Sequence, residues 1–228
     1  MEKRLIITVD GPAGSGKSTV SRILAERISY IYLDTGLLYR AVAYKAMQRG
    51  ISIEDDEALR KLCDGIDIPF ETDNGNMKVL IDGEDVSGRV RTEEIGMLAS
   101  SVSAVSAVRD ALLLPQRSAG RYGGIVAEGR DMGTVVFPGA DIKFFLDADA
   151  DERAKRRYAQ LMENGINVDL GEIKKGLEAR DYQDTQREIA PLKPAGDSVI
   201  INTTGIDVEG VIEKMTIIVE KHTRLAGN

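Results

Sequence analysis

The stretch "LIITVDGPAGSGKSTVSRILAERI", residues 5–28, decides the fold. Residues 5–10 form a continuous apolar run closed by Asp10, the mark of a buried strand. Residues 11–18, "GPAGSGKS", fit G-x-x-x-x-G-K-[ST]. Val20, Ile23, Leu24 and Ile28 then recur at helical spacing. A strand that turns through glycines into a helix aims backbone N–H groups at one point. Side chains at Gly11, Gly14 or Gly16 would obstruct that point or forbid the backbone angles. The helix N-terminus adds partial positive charge, so the loop is suited to phosphate oxygens. Residues Gly11, Pro12, Ala13, Gly14, Ser15, Gly16, Lys17, Ser18 and Thr19 are therefore expected to cradle the phosphates of ATP. Lys17 is expected to reach the β- and γ-phosphates, with the Ser18 hydroxyl in a Mg²⁺ shell.

Outward from this loop, strand and helix alternate. Residues 30–34, 124–128, 142–147 and 198–202 are further short apolar runs, each followed by a helix candidate. Those candidates include 37–48 and one capped by Asp149. Five such runs separated by helices predict an α/β fold, a five-stranded parallel sheet covered on both faces. Residues 66–88 break the rhythm. Asn74-Gly75 and Asp82-Gly83 are hairpin signals between alternating segments, so three antiparallel strands are expected there. The chain is thus expected to divide into a core, 1–62 and 93–228, and an inserted antiparallel β subdomain, 63–92. A short lid is expected near 158–170, around Gly165. Pro115 should kink or stop its helix, and Cys63 reads as core filler.

Composition removes several function classes. The 228 residues carry 37 acidic and 30 basic side chains, a formal charge of −7. Such a chain has no general attraction for nucleic acid or anionic membrane. One cysteine and one histidine permit neither an intrachain disulfide nor a Cys/His zinc site of the usual ligand count. His222, near the C-terminus where chains fray, is a poor candidate for a general base. The charged start "MEKR" argues against a signal peptide, which points to the cytoplasm.

Arginines gather in "DTGLLYR" (34–40), "EGRDMGTVVFP" (128–138), "DERAKRR" (151–157) and "ARDYQDTQRE" (179–188). Two of these clusters follow predicted strands, where an open α/β sheet binds its ligands. Guanidinium in preference to ammonium suits bidentate phosphate contacts. In the last stretch Arg180, Asp184 and Arg187 fall at i, i+4 and i+7 and would share a helix face. A solvated, ion-paired helix carries the same pattern, and Asp181 and Glu188 read as solvent charges. Asp34 and Glu128 close strands near the loop, where they suit metal-bound water or helix capping equally.

Together "DGPAGSGKST", "LDTGLLYR", "EGRDMGTVVFP", "RDYQDTQR" and "APLKPA" resemble the bacterial cytidylate kinases of the nucleoside-monophosphate kinase group. The resemblance covers nearly the whole chain, the insertion included. It implies that Arg40, Arg130 and Arg187 hold the phosphate of CMP or dCMP, with Thr35 also in the acceptor site. It implies that Arg180 and Asp184 meet the sugar, and that Ser100, Arg109 and Asp131 read cytosine. Lid cations, chosen as Arg153 and Arg157 with Arg156 as an equal candidate, would stabilise the migrating phosphoryl group. Gln183 and Gln186 find no assigned role, and "NTTG" (202–205) sits where related kinases wrap adenine. The expected partners are CMP, dCMP and ATP, for a monomer with no nucleic acid or membrane. Two rivals stay open at this point: a kinase for another small acceptor, and a nucleotide-binding regulatory module that hydrolyses ATP slowly.

Overall fold

A computed structural model describes residues 4–66, 69–73 and 76–226. Five strands form a parallel sheet: β1 (Ile6–Asp10), β2 (Ile31–Asp34), β6 (Ile125–Gly129), β7 (Ile142–Asp147) and β8 (Val199–Asn202). Their spatial order is β2-β6-β1-β7-β8. β1 lies in the middle, with β6 and β7 in parallel register on its two sides. Chain direction in the sheet diverges around β1, and ligands of such sheets bind in the crevice at that point. The expected runs are recovered, with starts shifted by one residue in four of the five. Gly124, for example, sits at φ +70 and cannot continue an extended strand backwards.

Helices cover both faces. α1 (Lys17–Arg27) and α8 (Val208–Ala226) pack on one side. There Ile7, Val9, Leu24, Val126, Phe144, Ile212 and Met215 form a buried cluster. α2 (Thr35–Gln48), α3 (Asp56–Gly65), α4 (Glu93–Val102) and α5 (Ser106–Ala119) cover the other. That cluster takes Ile125 and Ala127, the neighbours of Val126, because successive strand residues face opposite ways. α6 (Ala150–Glu163) and α7 (Leu170–Gln186) pack together outside the sheet's carboxyl edge. No single helix among the described residues is long and apolar enough to cross a membrane.

Between α3 and α4 lie β3 (Phe70–Asp73), β4 (Asn76–Ile81) and β5 (Glu84–Asp85), an antiparallel sheet in the order β3-β4-β5. The Asn74-Gly75 turn falls outside the described residues. Asp82 and Gly83 both have positive φ, as the tight hairpin turn requires. Met77, Val79 and Ile81 alternate inward from β4 and join the cluster of Leu38 and Val42 on α2. The small sheet therefore shares its apolar layer with the main body.

Three local expectations change. α5 does not stop at Pro115 but runs on to Ala119. Its last turn is anchored where the missing N–H would have weakened it: Arg117 donates to the carbonyls of Val136 and Val135 at 3.0 Å each. Asp149 precedes α6 but its side chain accepts no capping bond. His222 lies within α8, which continues to Ala226.

Asp10 shows how the sheet edge is tied. Its carboxylate accepts from the backbone N–H of Met132 and of Gly133, both at 2.8 Å, and so fixes a short π-helical turn, Met132–Val136, after β6. Burial nevertheless outweighs these bonds and pushes the carboxyl up to about 6. A carboxyl raised in the folded state contributes stability that is complete below its unfolded value and lost as pH rises through about 6. The stability of wild type relative to Asp10→Asn should therefore fall by about 2 kcal/mol between pH 4 and pH 7. Denaturant titration across that range measures it, and a flat difference would contradict the assignment.

Candidate active site

The Gly-rich loop leaves β1 and enters α1 at Gly16, whose left-handed φ of +88 makes the turn. Gly11 is packed so tightly that a Cβ there would overlap the carbonyl of Leu146 on β7. Two struts set the loop's outer wall. Arg153 of α6 is buried and donates to the carbonyl of Ala148 at 2.9 Å and of Ala13 at 3.0 Å. It also pairs with Asp181 of α7, whose other oxygen accepts from Ala13 N at 3.3 Å. Asp181 is thus a buttress of the loop, where the sequence pattern suggested a solvent charge. Thr203, in the turn after β8, donates to Ser15 O at 3.2 Å.

Inside the loop, Lys17 is buried and donates to Pro12 O at 2.9 Å. Burial, then the nearby Arg130, pulls its ammonium down to about 7, while Glu128 opposes the shift. Glu128 is itself buried at the end of β6. It accepts from Ser18 Oγ at 2.9 Å and from the Tyr32 hydroxyl. Burial, reinforced by Asp34 on the adjacent strand, raises its carboxyl. Asp34 also caps α2, accepting from Leu37 N at 3.1 Å. Ser18, Glu128 and Asp34 form an all-oxygen set of the kind a hard divalent cation takes.

Near Lys17 the arginines converge. Asp184 of α7 is buried and accepts from Ser100 Oγ of α4 and from Arg130 Nε, both at 2.7 Å. Asp131 pairs with Arg109 of α5 and lies 3.6 Å from Arg187. Ser103, which the sequence did not single out, joins those two cations. Its carbonyl accepts from Arg109 at 3.1 Å, and its hydroxyl accepts from Arg187 at 2.7 Å. Arg40 and Arg180 meet over Gly96 of α4, where a Cβ would stand 3.2 Å and 3.5 Å from their nitrogens. Arg187 sits just beyond α7 in extended conformation, so it reaches the cluster from a turn and not from the helix face.

This cluster is short of negative charge. Burial, then Arg130, pushes Arg180 down to about 9. Arg180 Nε and Arg187 Nη2 are buried with no hydrogen-bond acceptor among the described residues. Buried donors of this kind are ordinarily satisfied by a partner, and an anionic ligand supplies one.

Other expected residues lie differently. Thr35 is buried and donates to the Glu128 carbonyl at 2.8 Å, turned inward to β6. Arg157 pairs with Glu93 and donates to Gln160. Arg156 donates to Thr203 Oγ1 at 3.0 Å and its carbonyl at 2.7 Å, with a nitrogen beside Gly16. Of the three α6 arginines it therefore lies against the loop's inner turn and the 202–205 turn, whereas Arg153 braces the loop from behind. Gln183 donates to Ser101 Oγ at 3.0 Å, while Gln186 and Glu188 are exposed.

The chain is similar to known proteins over nearly its whole length. The family model described as cytidylate kinase matches residues 7–221. The cytidylate kinase of Geobacter sp. (strain M21) is 50% identical over 214 residues, 94% of this chain and 92% of that protein. The cytidylate kinase of Syntrophotalea carbinolica is 47% identical, covering 99% and 96%. That of Pasteurella multocida is 43% identical, covering 97% and 98%. Among solved structures, a gluconokinase from Sinorhizobium meliloti 1021 matches with a TM-score of 0.51 at 15% identity, covering 100% of this chain and 97% of that one. An identity that low speaks for the fold alone.

The depressed ammonium of Lys17 makes a measurable statement. Near pH 8 the free loop should hold Lys17 largely neutral, and triphosphate oxygens should recharge it. Binding of ATP should then take up about one proton near pH 8 and little near pH 6. Calorimetry in buffers of different ionisation heat reads this directly. Enthalpies independent of buffer near pH 8 would refute it, and Lys17→Ala should abolish the uptake.

Proposed function

This chain belongs to the cytidylate kinase family, and we propose that it transfers the γ-phosphoryl group of ATP to CMP or dCMP, with weaker use of UMP. It is an ATP-dependent phosphotransferase. The observation that carries the choice of acceptor is the linked, buried set Arg109–Asp131–Arg187. Cytosine offers an amino donor at N4 beside acceptors at N3 and O2. A fixed carboxylate accepts from the first, and guanidinium and hydroxyl groups donate to the others. Uracil turns an oxygen toward Asp131 instead.

The chemistry asks little of acid–base groups. The attacking atom is a phosphate oxygen already ionised at neutral pH, so positioning and charge stabilisation carry the reaction. Lys17 and the loop N–H groups hold the donor phosphates. Arg40, Arg130 and Arg187 hold the acceptor phosphate opposite them. Asp184 keeps Arg130 oriented and, with Arg180, receives the sugar. Mg²⁺ would be held through Ser18, oriented by Glu128 and Asp34, and would neutralise charge on the phosphates. The residues are few, which suits an ion that keeps waters and phosphate oxygens as most of its ligands. The turn between α6 and α7, with Gly165 at φ +74, supplies the hinge of a short lid over the phosphates. Residues 63–92 serve as the acceptor-side subdomain.

An ADP-release assay over a panel of monophosphates tests this reading, and equal rates with CMP and AMP would defeat it. The near-isosteric Asp131→Asn should narrow the CMP/UMP ratio of kcat/KM by about tenfold or more. The basis is an unpaired polar contact of about 1–3 kcal/mol. An unchanged ratio would remove Asp131 from base recognition. Arg187→Ala should lose CMP-dependent transfer while ATP affinity holds.

A further inference from the structure

Beside the loop helix a cavity of about 450 Å³ opens, lined by Ser18, Thr19 and Arg22 of α1, Tyr32 of β2, and Ser87 and Arg91 from the far side. Arg91 closes the 3-10 turn Arg89–Arg91 that links the small sheet to α4. Its setting differs from that of the buried arginines Arg109, Arg153 and Arg187. Each of those three holds two or more hydrogen bonds within the protein. The Arg91 side chain is 55% exposed, and its ion pair with Asp34 is long, at 3.5 Å. A loose pair at that exposure holds the guanidinium weakly.

Its position is nonetheless well defined. Arg40 donates to Val90 O at 3.2 Å and to Thr92 O at 3.3 Å, gripping the backbone on both sides of Arg91. Asp34 stands opposite Glu128 in the β2–β6 register, about one strand spacing away, and Glu128 receives the Ser18 hydroxyl. Arg91 therefore stands between the end of the phosphate loop and Arg40. Donor and acceptor phosphates must meet in that interval if the acceptor lies among the arginines. Its presence already adds to the positive field at Arg40.

We propose that Arg91 is a further substrate-binding residue, whose guanidinium leaves the Asp34 edge to pair with phosphate oxygens at the junction of donor and acceptor. The proposal rests on the acceptor reading above. The physical reason is a free energy difference between partners. A long, 3.5 Å contact from a largely exposed Arg91 is readily given up for a bidentate bond to a doubly charged phosphate beside excess cations.

Arg91→Ala tests this, with Arg91→Lys and Arg89→Ala beside it. Arg89 shares the turn but pairs with Glu84 at the surface. Wild type is first assayed on a monophosphate panel. If CMP is inert and another acceptor is phosphorylated, the acceptor reading fails, and the variants are read with that acceptor. Arg91→Ala should lower kcat/KM for the acceptor at least tenfold with KM for ATP within twofold, Arg91→Lys should fall between, and Arg89→Ala should match wild type. Calorimetric titration without ATP separates contact from tethering. A phosphate contact weakens binding of the monophosphate and leaves that of the parent nucleoside unchanged. A loss below tenfold, a loss shared by Arg89→Ala, or equal weakening of nucleoside and monophosphate would each overturn the proposal.

Discussion

The buried carboxylate of Asp184 is the constraint on which the cleft depends. It takes one bond from Ser100 on α4 and one from Arg130 after β6, and so ties α7, α4 and the sheet edge at a single point. A guanidinium drawn out of water is costly unless paired with good geometry. Asp184 meets that need for Arg130, and Asp131 meets it for Arg109 and Arg187. Removing either carboxylate would leave cations facing one another in a space with little solvent. This arginine cluster is therefore arranged before any ligand arrives, which limits the reorganisation that binding must bear.

The Gly-rich loop is built on a different principle. It offers an anion backbone N–H groups and one lysine, and its shape is dictated from outside. Gly11 sits against the Leu146 carbonyl, and Arg153 with Asp181 holds Ala13 from behind. Lys17 rests near neutrality because burial and Arg130 both disfavour its charge. Glu128 is biased toward its own neutral form by the same burial.

How much of this was legible in the sequence follows from range. The loop, the strands and the small hairpins are local patterns, and they were readable because spacing alone determines them. Resemblance points to Arg40, Arg109, Arg130, Asp131, Arg180, Asp184 and Arg187, and the structure makes them neighbours of one another. What escaped was set by distant partners. Asp181 is a loop buttress only because Ala13 lies 168 positions earlier. Ser103 reaches Arg187 across 84 positions. Arg187 shares the expected spacing with Arg180 yet leaves the helix, because α7 ends at Gln186. Pro115 failed to stop α5 because Arg117 finds carbonyl partners outside the helix. Arg91 carried no motif of its own.

α7 carries Asp181 and Asp184 less than one turn apart. The first sustains the wall of the Gly-rich loop and the second orients Arg130. A single helix thus bears on both the loop and the arginine cluster. On the proposed assignment of the two nucleotides, any free energy that one gives toward seating that helix is returned as tighter capture of the other, by the same factor in either order of addition. Reciprocity of this kind favours a filled pair over a lone ATP.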